Sequence, residues 1–256
     1  MFMRKVAVSL IFYFISLNLY ATDTGREAQY ASEIAVGIAK SEVVWLGESN
    51  NRFLALYSES EKSDFNRTVI LLPQMGSHPD TDPLIYALRR ELTKHNWATL
   101  ALQMPLREAG AAEADYFPLL PEAKQRIAEA VRHSAANGAQ SIVVVGHQLG
   151  ALMALYGQAN EPMQEIKAVV TIGLNVPETN SKNAQTIELI KQVKIPFLDI
   201  YGAQDRKDIV ASARERRIAA RENKQYRQFQ LNRASSPYWN DQDLVVKRIY
   251  GWLSHY

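Results

Sequence analysis

The sequence predicts an α/β fold, in which a mostly parallel sheet has helices on both faces and antiparallel strands at its N-terminal side. After residue 40, short apolar runs alternate with helical stretches, the order that builds parallel sheets. These runs show little polar alternation, as expected for strands covered on both faces. With 256 residues, 47% of them hydrophobic, the chain can fill one core. We therefore expect a single domain over residues 22–256.

Each predicted element follows from a local pattern. The predicted strands occupy 42–46, 52–57, 68–72, 97–103, 141–145, 166–172, 196–201 and 226–231. The predicted helices occupy 82–94, 121–136, 149–158, 184–193, 209–222 and 241–253. Asp82 suits the N-cap of the first helix and Pro83 its first position. Because ligands of such sheets bind beyond the C-terminal ends of the strands, the loops at those ends should line any cleft.

Residues 1–21 have the pattern of a secretory signal peptide. Arg4 and Lys5 form a basic start, residues 6–19 are an apolar run, and Ala21 closes an acceptable cleavage site. The run is shorter than the roughly 18 residues that indicate a membrane span. We therefore expect an exported protein of the periplasm, without a stable membrane span after cleavage. An uncleaved membrane tether is the alternative.

Composition excludes several function classes. Cysteine is absent, so disulfides, thiol nucleophiles and thiolate metal sites are excluded. The 29 basic and 27 acidic residues nearly balance, which argues against nucleic-acid binding. No spacing suits a metal site and no glycine-rich loop suits a phosphate, so we expect neither metal nor cofactor. One local exception is the basic stretch 211–227, either a solvated helix face or a docking surface for an acidic partner.

The stretch 141–151, SIVVVGHQLGA, has the form of a nucleophile elbow, the strand–turn–helix corner written G-x-S-x-G. Gly146 and Gly150 occupy the two positions where side chains would crowd the backbone. Gln148 replaces the serine and should have a positive φ, which costs about 1–3 kcal/mol. The pattern therefore predicts the corner of an α/β-hydrolase-like fold in which the nucleophile is absent.

Acyl transfer also needs a base, an acid and two N–H donors for the oxyanion. The backbone N–H of Leu149 and one from the loop 73–78 could be those donors. Asp205 follows a predicted strand and is a candidate acid, or else a helix cap. The base should lie in the loop 232–239, which contains no histidine. We therefore expect no imidazole close enough to activate a reactive side chain.

Several sequence segments resemble a known family. They are TVILLP from Thr68, LRREL from Leu88, NWATLALQMP at 96–105, VGHQLGA at 145–151 and VKRIYGWL at 246–253. Together they resemble a family of exported proteobacterial proteins of unknown function with the α/β-hydrolase fold. The resemblance implies that fold and an exported location, makes a non-serine residue such as Gln148 typical of the elbow, and implies no substrate.

The sequence is compatible with three functions. The first is a non-catalytic pseudoenzyme that binds a small molecule or a periplasmic partner at the degenerate elbow. Its expected ligand-binding residues are Gln74, Met75, His78, His147, Gln148 and Leu149. The second is an esterase-like hydrolase with relocated residues such as Ser77, His78 and Asp205. The third is an interaction module that uses the basic helix around Arg214 to Arg221, within the stretch 211–227. The short segment 175–183 predicts a minimal or absent cap over the cleft.

Overall fold

A computed structural model describes residues 22–48, 51–62, 66–238 and 240–255. The predicted signal peptide and Trp239 lie outside the described residues. The strands are β1 (Val43–Leu46), β2 (Phe53–Ser58), β3 (Arg67–Leu72), β4 (Ala98–Leu102), β5 (Ser141–His147), β6 (Ile166–Ile172), β7 (Phe197–Gly202) and β8 (Tyr226–Leu231). The helices are α1 (Thr24–Gly37), α2 (Pro83–Glu91), α3 (Leu120–Ala136), α4 (Leu149–Asn160), α5 (Thr186–Gln192), α6 (Lys207–Ala211), α7 (Ala213–Ala219) and α8 (Gln242–Leu253).

The strands form one eight-stranded sheet in the order β1-β2-β4-β3-β5-β6-β7-β8. β1 pairs antiparallel with β2, and β2 pairs antiparallel with β4. All other neighbours are parallel. The predicted fold class is therefore confirmed, including the antiparallel N-terminal strands.

Helices cover both faces of this sheet, so the strand side chains divide between two cores. Along β3, Ile70 and Leu72 face the core formed with α3, α4 and α5. Val69 and Leu71 face the core formed with α1, α2 and α8. This division explains why the strand sequences are apolar on both faces. Within the described residues no helix is both long and apolar enough to cross a bilayer.

Three examples show where the structure differs from the sequence prediction. Helix α1 was not predicted, because Ile34 is its only buried residue and no apolar stripe marks it. A 3₁₀ helix, Glu113–Leu119, lies in the connection that precedes α3. The helix predicted at 209–222 is two short helices, α6 and α7, that meet at Ser212.

Candidate functional site

The predicted elbow lies between β5 and α4. Gln148 has φ 50° and ψ −112°, so the predicted positive φ is confirmed. A Cβ at position 146 would lie 2.3 Å from the carbonyl oxygen of Gly150, and one at position 150 would lie 2.5 Å from that of Leu72. Both glycines are therefore required by close backbone approach, as the sequence predicts.

The side chain of Gln148 points to the loop that follows β8. Its Nε2 donates a hydrogen bond to the Oγ of Ser236. In the Ser…Asp…His chain order of this fold, that loop carries the base. Here the loop brings a hydroxyl to the elbow, and the elbow presents a carboxamide.

An imidazole does lie beside this pair, contrary to the sequence-based expectation. His147 Nε2 is 3.3 Å from Ser236 Oγ, and His147 Nδ1 is 2.8 Å from an Oδ of Asp82. The side chains of His147 and Asp82 are fully buried. The expectation was wrong because it looked for a histidine after the last strand, whereas this one ends β5 next to the elbow residue.

Asp82 has two roles: it holds the imidazole of His147, and it caps helix α2. Its Oδ1 accepts hydrogen bonds from the backbone N–H of Leu84 and Ile85, so the predicted N-cap is confirmed. Its Oδ2 accepts from the backbone N–H of Gln74, at 2.8 Å, and faces His147. Burial favours a higher pKa for Asp82, but the interaction with His147 and the hydrogen bonds from these N–H donors outweigh burial and lower the pKa below its ordinary value.

The ionised carboxylate determines how the protons are arranged. An ionised Asp82 can only accept, so we assign the ring proton of His147 to Nδ1. Nε2 then carries a lone pair, and the Ser236 hydroxyl is assigned as donor to it. The amide of Gln148 donates to the same Oγ. The chain thus contains an Asp–His–Ser series in which each group has a consistent donor or acceptor role.

Asp205, the candidate acid from chain order, has different partners. Its Oδ1 accepts from the backbone N–H of Ser236, at 2.5 Å. Its Oδ2 accepts from the N–H of Gly202, at 2.7 Å, and from the hydroxyl of Tyr238, at 2.6 Å. Burial and the charge of Asp205 raise the pKa of Tyr238. Asp205 therefore fixes the loop that presents Ser236, and its hydrogen bonds within the described residues include no imidazole.

The cleft above the elbow is small and polar at its rim. Its volume is about 20 Å³, room for about one water molecule. It is lined by Met75, Glu113, Gln148, Leu149, Gly173, Asn175, Arg206 and Ile209. The amide of Asn175 donates to the carboxylate of Glu113 at 2.9 and 3.0 Å, and Arg206 reaches it at 3.5 Å. Burial raises the pKa of Glu113 against the opposing effect of Arg206.

The expected ligand-binding residues separate into two groups. Met75, Gln148 and Leu149 line the cleft, whereas His147 lies buried behind it. The backbone N–H of Gln74 is occupied by Asp82.

The proposed Ser77/His78 pair is not assembled in the described residues. His78 is buried, its Nδ1 accepts from the backbone N–H of Asp80, and its ring meets the edge of Tyr30. No hydrogen bond joins it to Ser77 in the described chain.

The basic stretch 211–227 is not uniformly solvated. Arg216 is fully buried, and its Nε donates to Asp199 at 2.9 Å. Tyr226 and Gln228 donate to the same carboxylate, each at 2.9 Å. Part of the positive charge counted in the sequence therefore belongs to a buried ion pair and is not available to a partner.

Solved structures with similar folds are esterases and hydrolases. Est1E from Butyrivibrio proteoclasticus is 13% identical with a TM-score of 0.66, covering 84% of this chain and 98% of its own. The esterase domain of a Rhodothermus marinus protein is 17% identical with a TM-score of 0.63, covering 84% and 98%. Thermogutta terrifontis esterase 2, phosphoramylated by tabun, is 12% identical with a TM-score of 0.67, covering 85% and 96%. At these identities the likeness shows the α/β-hydrolase fold alone.

Sequence comparison adds a family but no activity. No curated protein matches the chain. One family model matches residues 21–122 and 119–255, which together cover most of the chain. The chain therefore belongs to the family described as protein of unknown function DUF3530.

Proposed function

We propose that this protein is a serine ester hydrolase in which residues around the elbow, and not a serine at the elbow position, have the catalytic roles. The observation that carries the proposal is the His147 ring, hydrogen-bonded to Asp82 on one side and to Ser236 on the other. A nucleophile, its base and an orienting acid in this contact order are the recurrent arrangement of acyl-transfer enzymes, whatever their order in the chain. The 3.3 Å contact is long, as contacts in unliganded sites often are.

The reaction would proceed through an acyl-enzyme. Ser236 Oγ attacks the ester carbonyl carbon while its proton moves to His147 Nε2. The C–O bond to the alcohol breaks, and that proton passes to the departing alkoxide. Water, deprotonated by His147, then attacks the acyl-serine, and the proton returns to Ser236 as the acid leaves.

Gln148 has a role in this scheme that the elbow serine would not have. Its Nε2 carries two hydrogens, and only one is needed for the bond to Ser236. The second, with the N–H of Leu149 at the start of α4, is a candidate oxyanion donor. The preserved glycines would then serve to position an amide instead of a nucleophile.

A second candidate is the non-catalytic protein that binds a small molecule or a periplasmic partner. Two observations count against turnover: the His147 side chain is fully buried, and the cleft has a volume of only about 20 Å³. A base must deliver its proton to the leaving group, so a turnover-competent His147 must become accessible when substrate binds.

Labelling with a fluorophosphonate probe separates the two candidates. The hydrolase proposal expects labelling of the protein lacking residues 1–21 at Ser236, lost in Ser236→Ala and strongly slowed in His147→Gln. Ser235→Ala is the matched control and should label normally. Circular dichroism checks that each variant folds. A folded protein that neither labels at Ser236 nor hydrolyses acyl esters of several lengths would support the non-catalytic candidate.

We also propose export to the periplasm, supported by the signal-peptide pattern at 1–21. Fractionation of cells that produce the full chain tests it. The processed protein is expected in the periplasmic fraction, with an N-terminus near Thr22. Retention of the unprocessed chain in the membrane fraction would favour the tether alternative.

A further inference from the structure

Helix α1 is attached to the rest of the fold through polar contacts at one edge of the sheet. Ile34 is its only buried residue, so apolar packing contributes little to its position. Its first half instead contacts the loop 73–78, which follows β3, and the segment that follows β4. Because β3, β4 and β5 are parallel neighbours, these loops lie at the same edge of the sheet as the elbow.

Arg26 makes most of these contacts. Its Nη2 donates to the backbone carbonyl of Gly76 at 3.1 Å, and its Nη1 donates to the carbonyl of Arg107 at 2.8 Å. The same Nη2 donates to the hydroxyl of Tyr30 at 2.8 Å, and that hydroxyl donates to the Gly76 carbonyl at 3.0 Å. A charged donor makes stronger hydrogen bonds than a neutral one, and a planar guanidinium can bind two carbonyls at once. Arg26 therefore joins the two loops and fixes Gly76 relative to α1.

The loop 73–78 contains two backbone donors without partners. The N–H of Gln74 donates to a buried carboxylate, and the N–H of Ser77 donates to the carbonyl of Gln74 at 3.2 Å. Between them, the N–H groups of Met75 and Gly76 have no acceptor in the described residues. Met75 also lines the cleft above the elbow. Its N–H is therefore a free donor that belongs to a residue of the cleft.

The same loop begins directly against the elbow. A Cβ at position 150 would lie 2.5 Å from the carbonyl oxygens of both Leu72 and Pro73, so the first turn of α4 contacts the start of the loop. Leu149 begins that turn. Two donors stabilise an oxyanion when both are held in place before the reaction, and a misplacement of about 1 Å can cost about 100-fold in rate. The position of the loop relative to α4 therefore decides whether Met75 and Leu149 can bind one oxygen.

We propose that Arg26 is a positioning residue of the oxyanion site. From α1 it holds the loop 73–78 where the N–H of Met75 can bind the oxyanion together with the N–H of Leu149. The inference rests on the proposed hydrolase function, which supplies the oxyanion. In the described chain Arg26 makes no hydrogen bond to Ser236 or His147, so its effect on the reaction would pass through the loop.

Steady-state hydrolysis of 4-nitrophenyl acetate and butyrate by the protein lacking residues 1–21 tests this role. Acylation and deacylation both pass through an oxyanion, so Arg26→Ala should lower kcat about 100-fold with little change in KM. The affinity for a trifluoromethyl ketone, whose adduct with a serine carries the same oxyanion, should fall by about the same factor. A residue needed only for folding would lower the free energy of unfolding without this match between kcat and inhibitor affinity.

Three further variants separate positioning from general stability. Arg26→Lys keeps the charge but lacks the planar fork that binds both carbonyls, so kcat should recover only in part. Tyr30→Phe removes one of the two hydrogen bonds to Gly76, so its kcat should lie between those of Arg26→Ala and the parent protein. Gln29→Ala removes an exposed contact with Glu33 on the same helix and should leave kcat unchanged.

Hydrogen exchange measures the loop itself. Exchange of the amides in residues 73–78 should be faster in Arg26→Ala than in the parent protein, and unchanged in Gln29→Ala. A parent protein that hydrolyses the esters, with kcat and inhibitor affinity unchanged in Arg26→Ala, would overturn the role of Arg26 and leave the hydrolase function in place. A folded parent protein that neither hydrolyses esters nor labels at Ser236 would overturn the hydrolase function, and this inference with it.

Discussion

Asp82 and Asp205 are two buried aspartates with different roles: Asp82 is linked to the loop that follows β8 through His147, and Asp205 binds that loop directly. Asp82 follows β3, caps α2 and touches the His147 ring. Asp205 follows β7, the place expected for a catalytic acid, and binds two backbone N–H groups and a tyrosine hydroxyl. Asp205, at the chain position expected for a catalytic acid, therefore has a structural role. The carboxylate that orients an imidazole belongs to the helix cap, Asp82.

The role of each carboxylate depends on its hydrogen-bond partners. Of these two aspartates, Asp82 is the one hydrogen-bonded to an imidazole, and a carboxylate in that place fixes the tautomer of the ring. Asp205 instead ties Ser236 and Tyr238 to the end of β7. Under the proposed hydrolase function, substitutions of the two aspartates should affect different measurements.

The largest expected effect is on the labelling rate, when the carboxylate of Asp82 is replaced by an amide. Asp82→Asn removes the charge that holds the His147 tautomer and should slow fluorophosphonate labelling of Ser236 about a thousandfold. Asp205→Asn keeps a carbonyl oxygen that can still accept from the N–H of Ser236, and Asp205 does not bond His147, so the labelling rate should change less than about tenfold. Labelling rates at matched probe concentration measure both. Equal losses in the two variants would contradict different roles for the two aspartates.

The largest expected change in the free energy of unfolding comes from the loss of the Asp205 carboxylate. Asp205→Ala leaves the N–H groups of Gly202 and Ser236 and the hydroxyl of Tyr238 without their acceptor, and should lower the free energy of unfolding by about 3 kcal/mol. Urea unfolding measures the change. Asp208→Ala, at an exposed aspartate nearby, is the control and should stay within about 0.5 kcal/mol of the parent protein.

A substitution with a smaller expected effect on stability tests one of these hydrogen bonds alone. Tyr238→Phe keeps the buried ring and removes only the hydroxyl that donates to Asp205, so we expect a loss of about 2 kcal/mol. Because the pKa of Tyr238 is raised, the hydroxyl stays protonated and the loss should be constant across neutral and mildly alkaline pH. Unfolding at several pH values tests this, and an unchanged stability would mean that the bond contributes nothing.

The smallest expected effect is an acid dependence at Asp82. Its folded-state pKa is lowered, so its ionisation stabilises the fold above the unfolded pKa of about 3.9. That contribution is lost as the pH falls through the folded pKa. Asp82→Asn cannot titrate, so the stability gap between the parent protein and the variant should shrink as pH falls below about 4. A gap that stays constant there would show that Asp82 is not stabilised as an ion.

Much of the architecture could be read from local patterns. Apolar runs gave the strands, and the spacing of Gly146 and Gly150 gave the corner and the positive φ of Gln148. Asp82 and Pro83 marked the start of α2. Helix α1 was not predicted because it buries little apolar surface, so its sequence has no apolar stripe.

The sequence by itself determined the layered sheet and the strained corner, because strand, helix and turn preferences act over a few neighbouring residues. Only the tertiary structure decided what stands around that corner. Asp82, His147 and Ser236 are separated by 65 and 89 residues, and no local pattern pairs them. The sheet order and the loop held by Asp205 bring them together. The buried pair of Arg216 with Asp199 likewise joins residues of two different elements.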